Sequence, residues 1–200
     1  ILVEGWAEEL LLPSIARKLG INLTEHGVSI INVGGTTFLR YAKIFQRQNA
    51  TAGTMNTRVA IITDLDIKPD DYDKSKATKP DKVKTQQDFG ATGVSKRIAE
   101  KNEKYAGDNI SVFISPEWTL EYCLAKSSTL KSFFVKALKQ VNSELNEAEL
   151  KSKTPTQLYQ DYVLEAELSK TAIAQAMAQI LDNDKADLKK AENEEVRSDK

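Results

Sequence analysis

The amino-acid sequence predicts an α/β protein, a parallel β-sheet flanked by helices, with a helical part added at the C-terminal end. Three observations carry this. From Ile1 to Thr63 strand-like and helix-like stretches alternate as β-α-β-α-β, an order that implies a parallel sheet with right-handed crossovers. Val59-Ala-Ile-Ile-Thr63 is an unbroken apolar or β-branched run, as expected of a strand buried on both faces. From Leu130 onward the apolar residues recur at helical spacing.

Ile1-Leu-Val is the first strand, closed by Glu4-Gly5, where glycine lets the backbone turn and a ligand approach. A helix follows from about Ala7 to Leu19. Its Leu10, Leu11, Ile15 and Leu19 share a face, Gly20 is the candidate C-cap, and Pro13 implies a kink or a late start. Val28–Val33 is the second strand. Gly34-Gly35-Thr36-Thr37 is a tight turn and residues 38–48 a helix, with a polar loop over 49–57 before the strand Val59–Thr63. Residues 67–87 carry Asp70, Asp71 and Asp73, then Lys74, Lys76, Lys79, Lys82 and Lys84, with few apolar residues. This predicts a long exposed or mobile loop. A polar helix over about 94–105 and a strand over 109–114 follow, and Ser115-Pro116 reads as a helix start. Further on, Leu130–Asn142 carries an apolar stripe, and Thr154-Pro-Thr-Gln157 is a capping box opening a helix toward Leu164. Ser169–Leu181 is the last helix, and the mixed-charge residues from Asp182 on are expected to fray. The organisation expected is a catalytic domain over 1–125, with a charged insert at 67–108, and a helical subdomain over 126–200.

The chain has 200 residues, 40% hydrophobic and 28% charged, with net charge −1. That is an ordinary globular composition, and a nucleic-acid partner would have to be met by a local patch or through metal. No apolar run is long enough to cross a bilayer. One cysteine, Cys123, rules out an internal disulfide and makes the cytoplasm the default location. With His26 as the one histidine, neither a Cys/His zinc site nor a Ser-His-Asp set is easily built. Metal chemistry would therefore use oxygen ligands. A chain opening inside a core strand is expected to be part of a longer polypeptide.

Candidate chemistry sits at strand ends. Asp64 and Asp66 leave the buried strand at its C-terminal end, where ligands bind in open α/β sheets. Two such acids repel each other unless a cation offsets them. The competing reading is a turn capped by its own Asp side chains. Glu4 ends the first strand and Glu8 lies in the first turn of the helix after it. Glutamates four apart are more often a solvated helix face, but Glu4 precedes glycine at a strand end. Four carboxylates at two strand termini suit two divalent ions with positions open to substrate oxygens. Gly34, Gly35 and Thr36 either bind phosphate through backbone amides or simply form a tight connection. Lys74 to Lys84 reads as a solvated loop, with DNA-backbone contact as the alternative.

Val3-Glu4-Gly5-x-x-Glu8, Val28–Val33 with Gly34-Gly35, and Asp64-Leu-Asp66, in this order, resemble the Toprim domain of topoisomerases, primases and related nucleases. Leu12-Pro13, Lys18-Leu-Gly20, Gly27-Val-Ser-Ile30, Thr119-Leu-Glu121-Tyr122 and Ser169-Lys170 before Ala174-Gln-Ala narrow the likeness. They make it similar to the C-terminal nuclease half of the overcoming-lysogeny-defect (OLD) family. The resemblance implies a DNA endonuclease using two divalent ions, Mg2+ or Mn2+. It implies metal ligands at Glu4, Glu8, Asp64, Asp66 and Glu121, with Glu4 and Lys170 catalytic and Lys170 facing the scissile phosphate. Thr171 stands where the family often has glycine after that lysine. Also implied are an N-terminal ABC-type ATPase in the full protein, a homodimer through that half, and a role in phage defence. No GxxxxGK[ST] loop is present in this chain. Two competitors are a Mg2+-dependent phosphatase with an Asp-x-Asp motif and a non-catalytic Toprim-like module binding nucleic acid or protein. The first normally places that motif on its first strand and leaves Glu4-Gly5 without a role.

Overall fold

The computed structural model describes residues 1–35, 38–46, 51 and 57–184. Thr36, most of the 49–57 loop and the segment after 184 lie outside the described residues. The chain forms two compact units, Ile1–Gly5 with Ile30–Leu120, and Trp6–Ser29 with Glu121–Lys200. The first helix therefore groups with the C-terminal helices, where the sequence-based division at 125 places it with the sheet.

The first unit holds a four-stranded sheet in the order β2-β1-β3-β4. Its strands are β1 (Leu2–Val3), β2 (Ile31–Asn32), β3 (Val59–Thr63) and β4 (Ile110–Ile114). Every pairing is parallel, with Leu2 in register with Ile31 and Ile61, and Val59 with Ile110. β3 lies between β1 and β4, which accounts for its apolar run: Val59, Ile61 and Thr63 are buried, Ala60 and Ile62 half-buried. β2 is shorter than the run Val28–Val33 because its partner limits the ladder. Pairing begins where the Ile31 N–H meets the carbonyl of Ile1 (2.8 Å) and ends where Val33 meets Val3 (3.0 Å). Leu2, Val33, Val59, Ile61 and Ile110 form one core with Ala42 of α2 (Phe38–Phe45) and Tyr105 of α3 (Gln86–Tyr105).

Residues 67–85 differ from the exposed loop expected. Ile67 and Tyr72 are buried, and Tyr72 packs edge-on against Trp118 with ring centroids 5.3 Å apart. The Lys68 ammonium lies over both rings, at 5.4 and 5.7 Å, a favourable placement for a cation. Two single 3₁₀ turns, Lys74–Lys76 and Pro80–Lys82, carry the charged residues. A sparse pattern of apolar anchors fixes this segment, and average composition hides it. α3 starts at Gln86, ahead of the residue 94 expected, because Thr85 and Asp88 form a capping box. Gly90, at φ 64°, then kinks it. Ser115-Pro116 opens no helix, since α4 begins at Leu120.

Asp88 gives a pH prediction. Its hydrogen bond from Lys74 and then that from the Thr85 N–H hold its carboxyl down to about 2. A carboxyl lowered in the folded state adds stability above its unfolded value, about 4, and loses it as pH falls through the folded value. We expect a carbon-detected titration of Asp88 to show its midpoint near 2. Asp88→Asn should remove the corresponding acid-limb slope between pH 4 and 2. The carboxyl is exposed to solvent, so the slope is shallow.

The second unit is helical: α1 (Trp6–Lys18), α4 (Leu120–Lys126, its first residue in the other unit), α5 (Lys131–Val141), α6 (Glu147–Ser152), α7 (Pro155–Gln157) and α8 (Lys170–Asn183). α8 packs against α1 and α5, over a core that includes Leu11, Phe134, Leu138, Ile173 and Met177. Pro13 lies within α1 without ending it. Gly20, at φ 72°, closes α1: its N–H bonds the Arg17 carbonyl and the Ile21 N–H that of Ala16, the paired bonds of a Schellman cap. The capping box at Thr154 forms as expected, but α7 runs on as a π-helical stretch, Leu158–Glu165. Asp182 does not fray, because it accepts hydrogen bonds from Ser14 and Arg17 of α1.

Candidate active site

The sequence-predicted residues fall into two groups, one in each unit. In the first, parallel pairing of β1 with β3 brings both C-terminal ends to one sheet edge. Glu4 follows β1 and Asp64 follows β3. Glu4 Oε1 accepts hydrogen bonds from Thr63 Oγ1 and, at 3.4 Å, from the Asp64 N–H. Asp64 Oδ1 accepts from the Leu120 N–H at 2.8 Å and from Ser115 Oγ at 3.2 Å. Ser115 Oγ in turn accepts the Leu65 N–H at 3.1 Å. Ser115 is thus a strut for the acidic turn instead of a helix cap. Asp66 stands in the left-handed region, φ 63°, which aspartate tolerates better than most residues. Its N–H bonds the Trp118 carbonyl at 2.9 Å.

Asp66 Oδ2 lies 2.7 Å from the Lys101 ammonium, and that ammonium also bonds the Asp64 carbonyl. The lysine side chain is only 12% exposed against 51% for the aspartate. Sequence reasoning missed Lys101 because its helix reads as polar. A signal does exist: Val94, Ile98, Lys101 and Tyr105 recur at helical spacing, and all are at least partly buried. A lysine in an apolar stripe buries its stem and aims its charge at something.

Gly34 and Gly35 have φ of 68° and 110°, which favour glycine. Their N–H groups are used inside the protein, Gly34 to Asn32 Oδ1 at 2.9 Å and Gly35 to the Glu4 carbonyl at 2.7 Å. This supports the tight-connection reading of the pair.

In the second unit, Lys170 is the first residue of α8 and lies 3.2 Å from Glu121 Oε2 on α4. The ammonium is 5.3 Å from the centre of the Tyr159 ring, which the π-helical stretch supplies. Burial works against the charge, but the Glu121 carboxylate and then the Tyr159 phenol raise the Lys170 pKa above the ordinary lysine value. Glu121 and Tyr159 are almost wholly buried. A cation at a helix N-terminus is ordinarily disfavoured, and here Glu121 offsets it. Glu8 is buried in the first turn of α1.

Among the described residues, no three His, Cys, Asp or Glu side chains stand close enough to enclose a metal ion as they are. The donor chemistry of Glu4, Asp64 and Asp66 nevertheless fits a hard divalent cation. Magnesium takes oxygen ligands, keeps several waters, and is often held by one or two carboxylates plus substrate phosphate.

The first unit is thus a parallel sheet with acids at the ends of two neighbouring strands and a Gly-Gly connection beside them. Residues 1–66 match the sequence model of the family described as "Overcoming lysogenization defect protein-like, TOPRIM domain", in agreement with the family resemblance seen in the motifs. Among solved structures, the chain is similar to the C-terminal region of the Xanthomonas campestris pv. campestris OLD protein. That match has 21% identity and a TM-score of 0.53, covering 89% of this chain and 81% of that one. It is also similar to the C-terminal region of the Burkholderia pseudomallei OLD protein, with 23% identity and a TM-score of 0.54, over 90% and 86%. At these identities the likeness is one of fold. No curated protein matches the chain.

Proposed function

We propose that this chain is the nuclease part of a larger ATPase–nuclease and cuts DNA with Mg2+ or Mn2+. The observation that carries this is the Glu4 carboxylate set against the start of the Asp64-Leu-Asp66 turn, 3.4 Å from the Asp64 N–H. Glu4, Asp64 and Asp66 would hold the ions. When bound, two divalent ions supply an activated water and Lewis acidity toward the phosphate oxygens. The family resemblance adds Glu8 and Glu121 as ligands and Lys170 as the cation facing the phosphate.

Lys170, held 3.2 Å from Glu121, would neutralise phosphate charge. An N-terminal ABC-type ATPase, a homodimer made through it, a cytoplasmic location and a role in phage defence belong to the same proposal.

Supercoiled plasmid with Mg2+ or Mn2+ tests it, and we expect nicked and linear products that chelator suppresses. Turnover of a small phosphomonoester without plasmid cleavage would support the phosphatase instead. Metal binding with no turnover, in this chain and in the chain joined to its ATPase, would support a binding module.

A further inference from the structure

We infer that Lys101 is a tethered competitor for the metal: its ammonium occupies the cation position that the Asp64-Leu-Asp66 turn creates, and a divalent ion must displace it. The inference rests on the metal-binding reading above and deepens it. The turn offers two oxygens to one cation. With Asp66 in the left-handed region, its carboxylate and the Asp64 carbonyl converge on one ammonium. These are hard oxygen donors of the kind Mg2+ and Mn2+ take, so ammonium and metal cannot share them.

The lysine is well placed for the task. It is delivered by α3, an element separate from the acid-bearing strands, and its stem is nearly buried while Asp66 stays half-exposed. Solvent ions therefore have access from the aspartate side. A four-carbon stem can swing its charge away without moving the helix. In the metal-free protein Lys101 compensates the repulsion among Glu4, Asp64 and Asp66. In the loaded protein it is released. It thereby sets the metal concentration at which the site fills.

Free Mn2+ measured by electron paramagnetic resonance, titrated against the full chain, tests this. Lys101→Met removes the competitor and should tighten Mn2+ binding about tenfold, close to 1.4 kcal/mol. Lys101→Arg keeps a charge there and should stay within about twofold of wild type. Equal or weaker binding by folded Lys101→Met overturns the inference, because a merely supporting lysine would loosen the site when lost.

Should Lys101→Met not fold, the wild-type chain suffices. Acetylation of Lys101, followed by mass spectrometry with Lys96 as internal reference, should rise on saturation with Mn2+. Unchanged or reduced labelling overturns the inference. If wild type binds no Mn2+ at millimolar concentration, the metal reading itself fails and this one falls with it. Binding that Asp64→Asn abolishes but Lys101→Met leaves unchanged overturns the competitor role alone.

Discussion

Asp64→Asn should abolish metal-dependent plasmid cleavage while the protein stays folded. The two requirements separate because the proposed site gives Asp64 two tasks. Its Oδ1 accepts the Leu120 N–H at 2.8 Å, and asparagine keeps an oxygen able to do the same. Alanine would leave that N–H without its partner, at a cost of about 1–3 kcal/mol if it is buried. What asparagine lacks is the negative charge a divalent ion requires. Loss of hydrogen bonds around a metal ligand already costs about 10–100-fold in affinity or activity, so loss of a ligand's charge should cost at least about 100-fold. Nicking rates at several Mn2+ concentrations, with circular dichroism alongside, measure it. A folded Asp64→Asn protein that cuts at the wild-type rate would remove Asp64 from the site.

Phe134→Ala should be strongly destabilising in the helical unit. Phe134 lies on α5 and is fully buried, and α5 packs against α8, whose first residue is Lys170. Removing a buried phenyl ring costs about 3–5 kcal/mol through lost transfer energy and the cavity left behind. Single domains hold about 5–15 kcal/mol in all. The urea midpoint should fall accordingly, with little change in the slope of the transition. A loss under about 1 kcal/mol would mean that the surroundings collapse into the space far more completely than is usual for a buried ring.

How much of this was legible in the sequence varies with the kind of signal. β3 reads without error because a central parallel strand is apolar on both faces, so Val59–Thr63 announces itself. Asp64 and Glu4 read as a pair because both directly follow strands, and parallel strands end on one side. The caps at Gly20 and Thr154 also read well, since their chemistry is local. What did not read is what depends on distant partners. Ser115-Pro116 has the local form of a helix start, yet Ser115 is committed to Asp64 and Leu65. The segment after Asp66 looks like a solvated tether because Ile67 and Tyr72 are outnumbered by charges. Lys101 and Tyr159 were missed for the same reason, as neither belongs to a motif. Each matters through residues distant in the chain, Lys101 through Asp64 and Asp66 and Tyr159 through Lys170.

The side-by-side direction of β1 and β3 has a consequence for how such a protein can change. Each strand's outgoing connection departs over one common rim, the rim that bears the acids. The long excursion after Asp66 and its return through α3 are such a departure. Ile67, Tyr72 and Tyr105 anchor it, so its polar positions are the ones open to rewriting, and what they carry is set down beside the carboxylates, as Lys101 is. New control over this kind of chemistry can therefore be acquired by editing the polar positions of one excursion while its apolar anchors and the strands stay as they were.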